Sequence, residues 1–151
     1  HYARWWRTGS PHWPKEPQTR IRIPQCWAMW LAAVLDCEGW IGMYRRQKGG
    51  GWIAIGVGNT QLRLIRKLRS LTGIGRIDFA DRKPPNKPCY MWAVDRHNEV
   101  KLLLRTVRPF LILKKKQADL ILSLPPKHAK AKMVKDRTYW ALRRLNRKGV
   151  H

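Results

Sequence analysis

Trp30-Leu31-Ala32-Ala33-Val34-Leu35-Asp36-Cys37-Glu38-Gly39-Trp40 is the stretch on which the reading of this chain turns. It opens as an apolar run and closes on two acids, a glycine and an aromatic residue. The C-terminal end of a helix carries partial negative charge, so carboxylates there are disfavoured unless a cation sits beside them. Asp36 and Glu38 are the only acids between Glu16 and Asp78. Two carboxylates at such a point, in a chain otherwise full of cations, predict a metal-holding site beside a strongly basic surface.

The rest of the composition supports that surface. Lysine and arginine number 32 against nine acids, a net charge of +23 over 151 residues. A polyanion is the partner that such a balance asks for, because Lys and Arg gain affinity by releasing condensed counterions. Charge alone does not separate a DNA-binding protein from a basic RNA-binding one, such as a ribosomal component. Apolar residues make up 44% of the chain, which excludes a disordered tail and allows one domain with a real core. The apolar run Cys26–Leu35 is too short to span a bilayer. Cys26, Cys37 and Cys89 are scattered without a C-x-x-C pair. They predict neither a zinc site nor a disulfide framework, and fit a reducing, intracellular compartment. No signal peptide is legible at the basic, aromatic N-terminus.

Taken in order, residues 1–24 read as an appended arm rich in Trp, Pro and basic residues. It is either a nucleic-acid contact or a strap that lays its tryptophans on the domain. Pro24 starts a helix from Gln25 to about Asp36. Ala33 and Cys37, small and four apart with Trp30 on the same side, let a second backbone approach closely. Trp40–Gln47 alternates as a strand, Gly49-Gly50-Gly51 turns, and a second strand follows. Gly42, Tyr44, Arg46 and Lys48 share one face of this hairpin with Trp52, Ala54, Gly56 and Gly58. Ile41, Met43, Ile53, Ile55 and Val57 share the other. One-face burial suits an antiparallel sheet with helices on one side, and the free face could lie in a groove.

Asn59 or Thr60 caps a helix from about Gln61 to Leu71, which Gly73 ends. A second hairpin, Ile74–Phe79 and Cys89–Asp95, flanks the basic loop 81–88. Arg76 and Asp78 lie on one face with Met91, and Trp92 and Val94 face the core. Asn98 caps a helix through Val107, which Pro109 interrupts. Pro109-Phe110-Leu111-Ile112-Leu113-Lys114-Lys115-Lys116-Gln117-Ala118-Asp119-Leu120 follows, then Pro125-Pro126, a basic linker over 127–135 and a final helix Arg137–Arg147.

Leu31-Ala32-Ala33-Val34-Leu35-Asp36-Cys37-Glu38-Gly39 resembles the signature of the LAGLIDADG homing endonucleases, with Ala33 and Cys37 departing at small-residue positions. The Pro109–Leu120 segment resembles a second recurring feature of those enzymes, at the right distance. The resemblance covers roughly residues 25–149. It implies an α+β fold of αββαββα order, a saddle-shaped antiparallel sheet with helices on one face. It also implies that the first helix pairs with its own copy, through Trp30, Ala33 and Cys37. One signature per chain then implies a homodimer that makes a staggered double-strand break in a long pseudo-palindromic DNA, as in intron or intein homing.

The same resemblance assigns roles. Glu38 supplies the metal-binding carboxylate and the Cys37 carbonyl an accessory ligand. Mg²⁺ is the metal, with Mn²⁺ able to replace it, since hard oxygen ligands suit it. Lys114 helps polarise the attacking water. Asn59 or Gln61 completes the site, with Arg63 a nearby cation. Asp36 has a plainer role, bracing the helix end or the partner subunit, with a second metal ligand as the lesser alternative. DNA contacts are expected from Gly42, Tyr44, Arg46, Lys48, Trp52, Arg63, Arg76, Asp78, Arg82, Lys83, Met91, Lys115 and Lys116. The alternatives are an intron-RNA maturase, or a binding protein that kept the fold without cutting.

Overall fold

A computed structural model describes residues 20–47, 51–125 and 132–147. The calls on residues 1–19, the Lys48 contact and residues 126–131 fall outside them. Ten elements follow one another: α1 (Gln25–Glu38), β1 (Gly39–Arg45), β2 (Gly51–Asn59), α2 (Leu62–Thr72), β3 (Arg76–Ala80), β4 (Cys89–Val94), α3 (His97–Val107), a 3-10 turn (Arg108–Phe110), α4 (Lys115–Leu122) and α5 (Lys132–Leu145). The expected αββαββα order holds, with α4 and α5 added.

The four strands form one antiparallel sheet in the order β1-β2-β4-β3. Its register sets Ile41 opposite Ile55, Ile55 opposite Val94, Val57 opposite Trp92, and Trp92 opposite Ile77. Side chains alternate between faces along each strand, so these residues line a single face. α1 and α3 pack against β2 and α2 against β4. Leu31 and Leu35 of α1, Ile65 and Leu68 of α2, and Leu103 and Leu104 of α3 are fully buried there with Trp92. Each contributes about 1.5–3 kcal/mol, and a one-residue slip of any strand would turn its share out to water. Among the described residues the opposite sheet face carries no helix. No helix of the described residues is long and apolar enough to cross a membrane.

Several boundaries differ from those expected. α1 runs two residues further, through Glu38, for a reason given below. Asn98 does not cap α3: Arg96 occupies the cap and Asn98 lies in the first turn. α5 starts at Lys132, inside the segment read as a linker, and its Asn146 side chain at the C-terminal end donates to the Ile41 carbonyl of edge strand β1 at 2.9 Å. Gly73 ends α2 in the left-handed region, φ 70°, its N–H on the Arg69 carbonyl, as the sequence predicts. Ile21, near the end of the segment read as an arm, is buried, its N–H on the Thr106 hydroxyl of α3 at 2.7 Å.

Candidate nucleic-acid interface and carboxylate site

The last turn of α1 holds the two acids in different surroundings. Asp36 is buried. Its Oδ2 accepts from the Ile112 N–H at 2.7 Å and its Oδ1 from the Lys114 N–H at 2.9 Å. The Lys114 ammonium, at the N-cap of α4, donates to the Asp36 carbonyl. This is the cation that an acid-terminated helix needs: it meets a carbonyl the helix leaves free and opposes the negative end of the dipole. It also explains why α1 extends past Asp36. Half-burial lowers the Lys114 pKa from its ordinary value, against the opposing pull of Asp36 and Cys37.

Glu38 is exposed, and no described residue pairs with its carboxylate. Among the described residues there is no group of three or more His, Cys, Asp or Glu able to hold a metal. Glu38 is thus a free hard-oxygen donor at the junction of α1 and β1, but a lone one. Asn59 ends β2, and its Oδ1 accepts from the Gln61 N–H at 2.8 Å. That bond closes the turn into α2, and Gln61 is left as an exposed N-cap residue. Arg63 is exposed in the first turn of α2.

Away from its buried side, α1 is apolar as well. Cys26, Met29, Ala33 and Cys37 are exposed and Trp30 and Val34 half-buried, so the small-residue face expected from the spacing is present and uncovered in one chain. Trp30 meets Trp27 edge-on, 5.5 Å between centroids, and the Lys67 ammonium lies 4.2 Å over the Trp27 ring.

The helix-free face of the sheet has two unlike halves. At the β1–β2 end, Tyr44 and Trp52 are cross-strand partners, stacked with centroids 5.3 Å apart. Trp40 meets Tyr44 edge-on, and the Arg46 guanidinium lies 5.7 Å from the Trp52 ring. Two glycines of this face, Gly42 and Gly56, are not bare backbone. A Cβ on Gly56 would come within 2.5 Å of the Trp40 ring, and one on Gly42 within 3.2 Å of the Tyr44 hydroxyl. Gly42 is buried, so rings rather than small residues form the surface there, which the alternation pattern alone could not reveal. Partial burial raises the Tyr44 pKa.

At the β3–β4 end, Arg76 donates through Nε to Asp78 at 2.9 Å and through Nη1 to Asp95. These bonds, that to Asp95 first, raise its pKa. Met91 pairs with Asp78 across the strands and is half-buried. Arg82 and Lys83 are exposed in the loop after β3, and Lys115 and Lys116 at the start of α4. Asp95 was not singled out from the sequence. Its position one residue beyond Val94, on the Met91–Ala93 face, was the available signal.

No family profile matches the chain, and no curated protein matches it. Solved structures do. The homing endonuclease I-CvuI, in complex with its target in the presence of Ca, matches with a TM-score of 0.67 at 22% identity, over 84% of this chain and 87% of that one. The archaeal intron-encoded homing endonuclease I-Vdi141I, complexed with DNA, matches at 0.64 and 17% identity, over 83% and 87%. The LAGLIDADG homing endonuclease I-SmaMI, bound to cleaved DNA, matches at 0.59 and 16% identity; 94% of this chain is covered, but 50% of I-SmaMI. The chain has the fold of the LAGLIDADG homing endonucleases.

Proposed function

We propose that the protein is a site-specific DNA endonuclease that acts as a homodimer and makes a staggered double-strand break by metal-assisted phosphodiester hydrolysis. The observation that carries this reading is the pair Glu38 and Lys114 at the end of α1. An exposed, unpaired carboxylate two residues beyond the carbonyl that holds a half-buried ammonium has no use in mere polyanion binding, since a carboxylate repels phosphates. Structures of the same fold were solved on DNA, and a helix-free sheet face with Arg82 and Lys83 exposed in the loop after β3 suits a duplex.

A hard-oxygen donor such as Glu38 fits Mg²⁺, and Mn²⁺ in its place. One carboxylate makes half a site, so two chains would each bring a Glu38, with the Cys37 carbonyl beside it. When bound, the metal would neutralise charge that develops on the phosphate and generate a water nucleophile. Lys114, held by the Asp36 carbonyl, would hold positive charge next to the same phosphate. Asn59 would keep the β2–α2 turn in place, and Gln61 would reach the water from its exposed cap position. Tyr44, Arg46 and Trp52, with Arg76, Asp78 and Met91, would face the bases. Arg63, Arg82, Lys83, Lys115 and Lys116 would face the backbone.

The uncovered apolar face of α1 supports pairing through Trp30, Ala33 and Cys37, and the match to half the length of I-SmaMI supports a two-copy assembly. Two-fold symmetry asks for a pseudo-palindromic target. Homing of an intron or intein and an intracellular location belong to the same proposal; a maturase acting on intron RNA is the alternative to it.

The test is selection from a random duplex library, incubated with the protein and Mg²⁺ or with Ca²⁺ as control. Staggered cuts in pseudo-palindromic sites are expected with Mg²⁺. Enrichment of bound sites without any cut in Mg²⁺ or Mn²⁺ would leave a binding protein of this fold.

A further inference from the structure

Arg76, Asp78 and Asp95 make an unusual group for a surface proposed to face DNA. The chain has nine acids in all, and two of them stand on this face around one arginine. An arginine meant for phosphate is best left free; this one has its charge more than cancelled by its neighbours. Its support is rigid. Gly75, at φ 81°, lets the backbone close on β4, where a Cβ would meet the Ala93 carbonyl at 2.7 Å. The Trp92 indole N–H donates to the Ile74 carbonyl at 3.0 Å just before it. Arg76 lies opposite Ala93, whose small side chain leaves the guanidinium room to lie across the strand pair.

Two ion pairs use Nε and one bond of Nη1. No described residue takes Nη2 or the Oδ1 atoms of the two aspartates. The cluster therefore offers a fixed guanidinium edge and a free carboxylate oxygen side by side. In the major groove only guanine presents two acceptors, O6 and N7, to a guanidinium fork. A carboxylate can only accept, and the donors there are the amino groups of cytosine and adenine. A single G·C pair satisfies both halves of the cluster; an A·T pair leaves the fork facing one acceptor and an amino donor, and the carboxylate facing thymine O4 and its methyl group.

We propose that Arg76, Asp78 and Asp95 form a base-reading cluster that specifies one G·C pair in each half-site, guanine on Arg76 and the cytosine amino group on Asp78, with Asp95 holding the guanidinium in place. The proposal rests on the nuclease reading above and names a specificity element within it. Binding order and affinity come mainly from the free cations elsewhere; this cluster contributes discrimination. Its acids also exclude unselected DNA, because they face phosphate or an acceptor-only base edge unpaired.

The experiment is site selection from a random duplex library with the full chain in Ca²⁺, read as a base preference at every position. Wild type should enrich a fixed G·C pair at one symmetric position. Asp78→Asn should relax cytosine there about tenfold or more, while admitting adenine's partner pattern, and leave the other positions unchanged. Arg76→Ala should lose the guanine preference at that position. Asp78→Asn/Asp95→Asn should release Arg76 to a phosphate, raising affinity for unselected DNA and steepening the salt slope by about one. Profiles that are identical in all variants that still bind, whether or not melting temperature falls, would reduce the cluster to a structural tie between β3 and β4. If Arg76→Ala does not fold, the two aspartate variants decide. Should wild type enrich no site at all, the nuclease reading fails and this one with it; enrichment without any variant effect removes the cluster alone.

Discussion

The last turn of α1 can be compared across its two sides. On one, Asp36 is buried and accepts two backbone N–H groups from the segment 76 to 78 residues downstream. On the other, Glu38 is exposed, with no described partner. Identical charge and near-identical sequence position lead to opposite uses, because each backbone donor given to Asp36 is a constraint on the fold, and each one withheld from Glu38 leaves an oxygen for a ligand. Proximity in sequence says little about which acid does chemistry; the supply of buried donors decides it.

Substitutions can break that comparison, the largest effect first. Glu38→Gln should reduce cleavage about a hundredfold or more if, as proposed, its charge holds the metal, and should change unfolding free energy by no more than about 0.5 kcal/mol. Cleavage assays beside urea titrations read both; a variant that cuts normally ends the assignment. Asp36→Ala should do the reverse first: a loss of about 3 kcal/mol, from two charge-assisted hydrogen bonds and the N–H groups left buried. A stability loss under about 1 kcal/mol would show that the brace is dispensable.

The outer face of the same helix gives a third test. Ala33→Trp should weaken self-association about tenfold or more while leaving the single domain's circular dichroism unchanged, because position 33 is exposed in one chain but would have no room against a second helix in the proposed pair. An unchanged dimer constant in sedimentation would move the seam elsewhere.

The smallest effect expected is a pH dependence. Burial lowers the pKa of Lys114, and that of Lys101 with Arg105 adding to it. The unfolded chain therefore holds more protons than the folded one in the window just below the ordinary lysine value of 10.5. Stability should rise with pH there. Tyr44, raised by burial, works the other way at higher pH. Denaturant titrations over roughly pH 8 to 10 should show a less positive slope in Lys114→Met; an equal slope would mean that the ammonium is not desolvated in solution.

Much of this could be read before any coordinates. The alternation in Ile53, Ile55 and Val57 against Trp52, Ala54 and Gly56 fixed the two sheet faces, because period-two burial has one solution. Gly73 ended α2 for a reason local to one residue. The contacts that span the chain were hidden. Nothing within ten residues of Asp36 tells that Ile112 and Lys114 will donate to it, so the end of α1 was placed two residues short. The Asn98 assignment failed because His97 already continued the helix. Trp40 over Gly56 was invisible for a further reason: alternation gives the face of a residue but not the direction in which a long ring leans across it.

Asn146 closes a gap that every open sheet has to manage. A bare strand edge is a template on which another chain can polymerise. By holding the Ile41 carbonyl, the C-terminal end of α5 occupies one acceptor on the outer rim of β1. At the opposite rim, β3 spans only five residues, and the loop that follows carries Pro84, Pro85 and Pro88. Lateral growth into fibrils is thereby discouraged at both rims of the sheet.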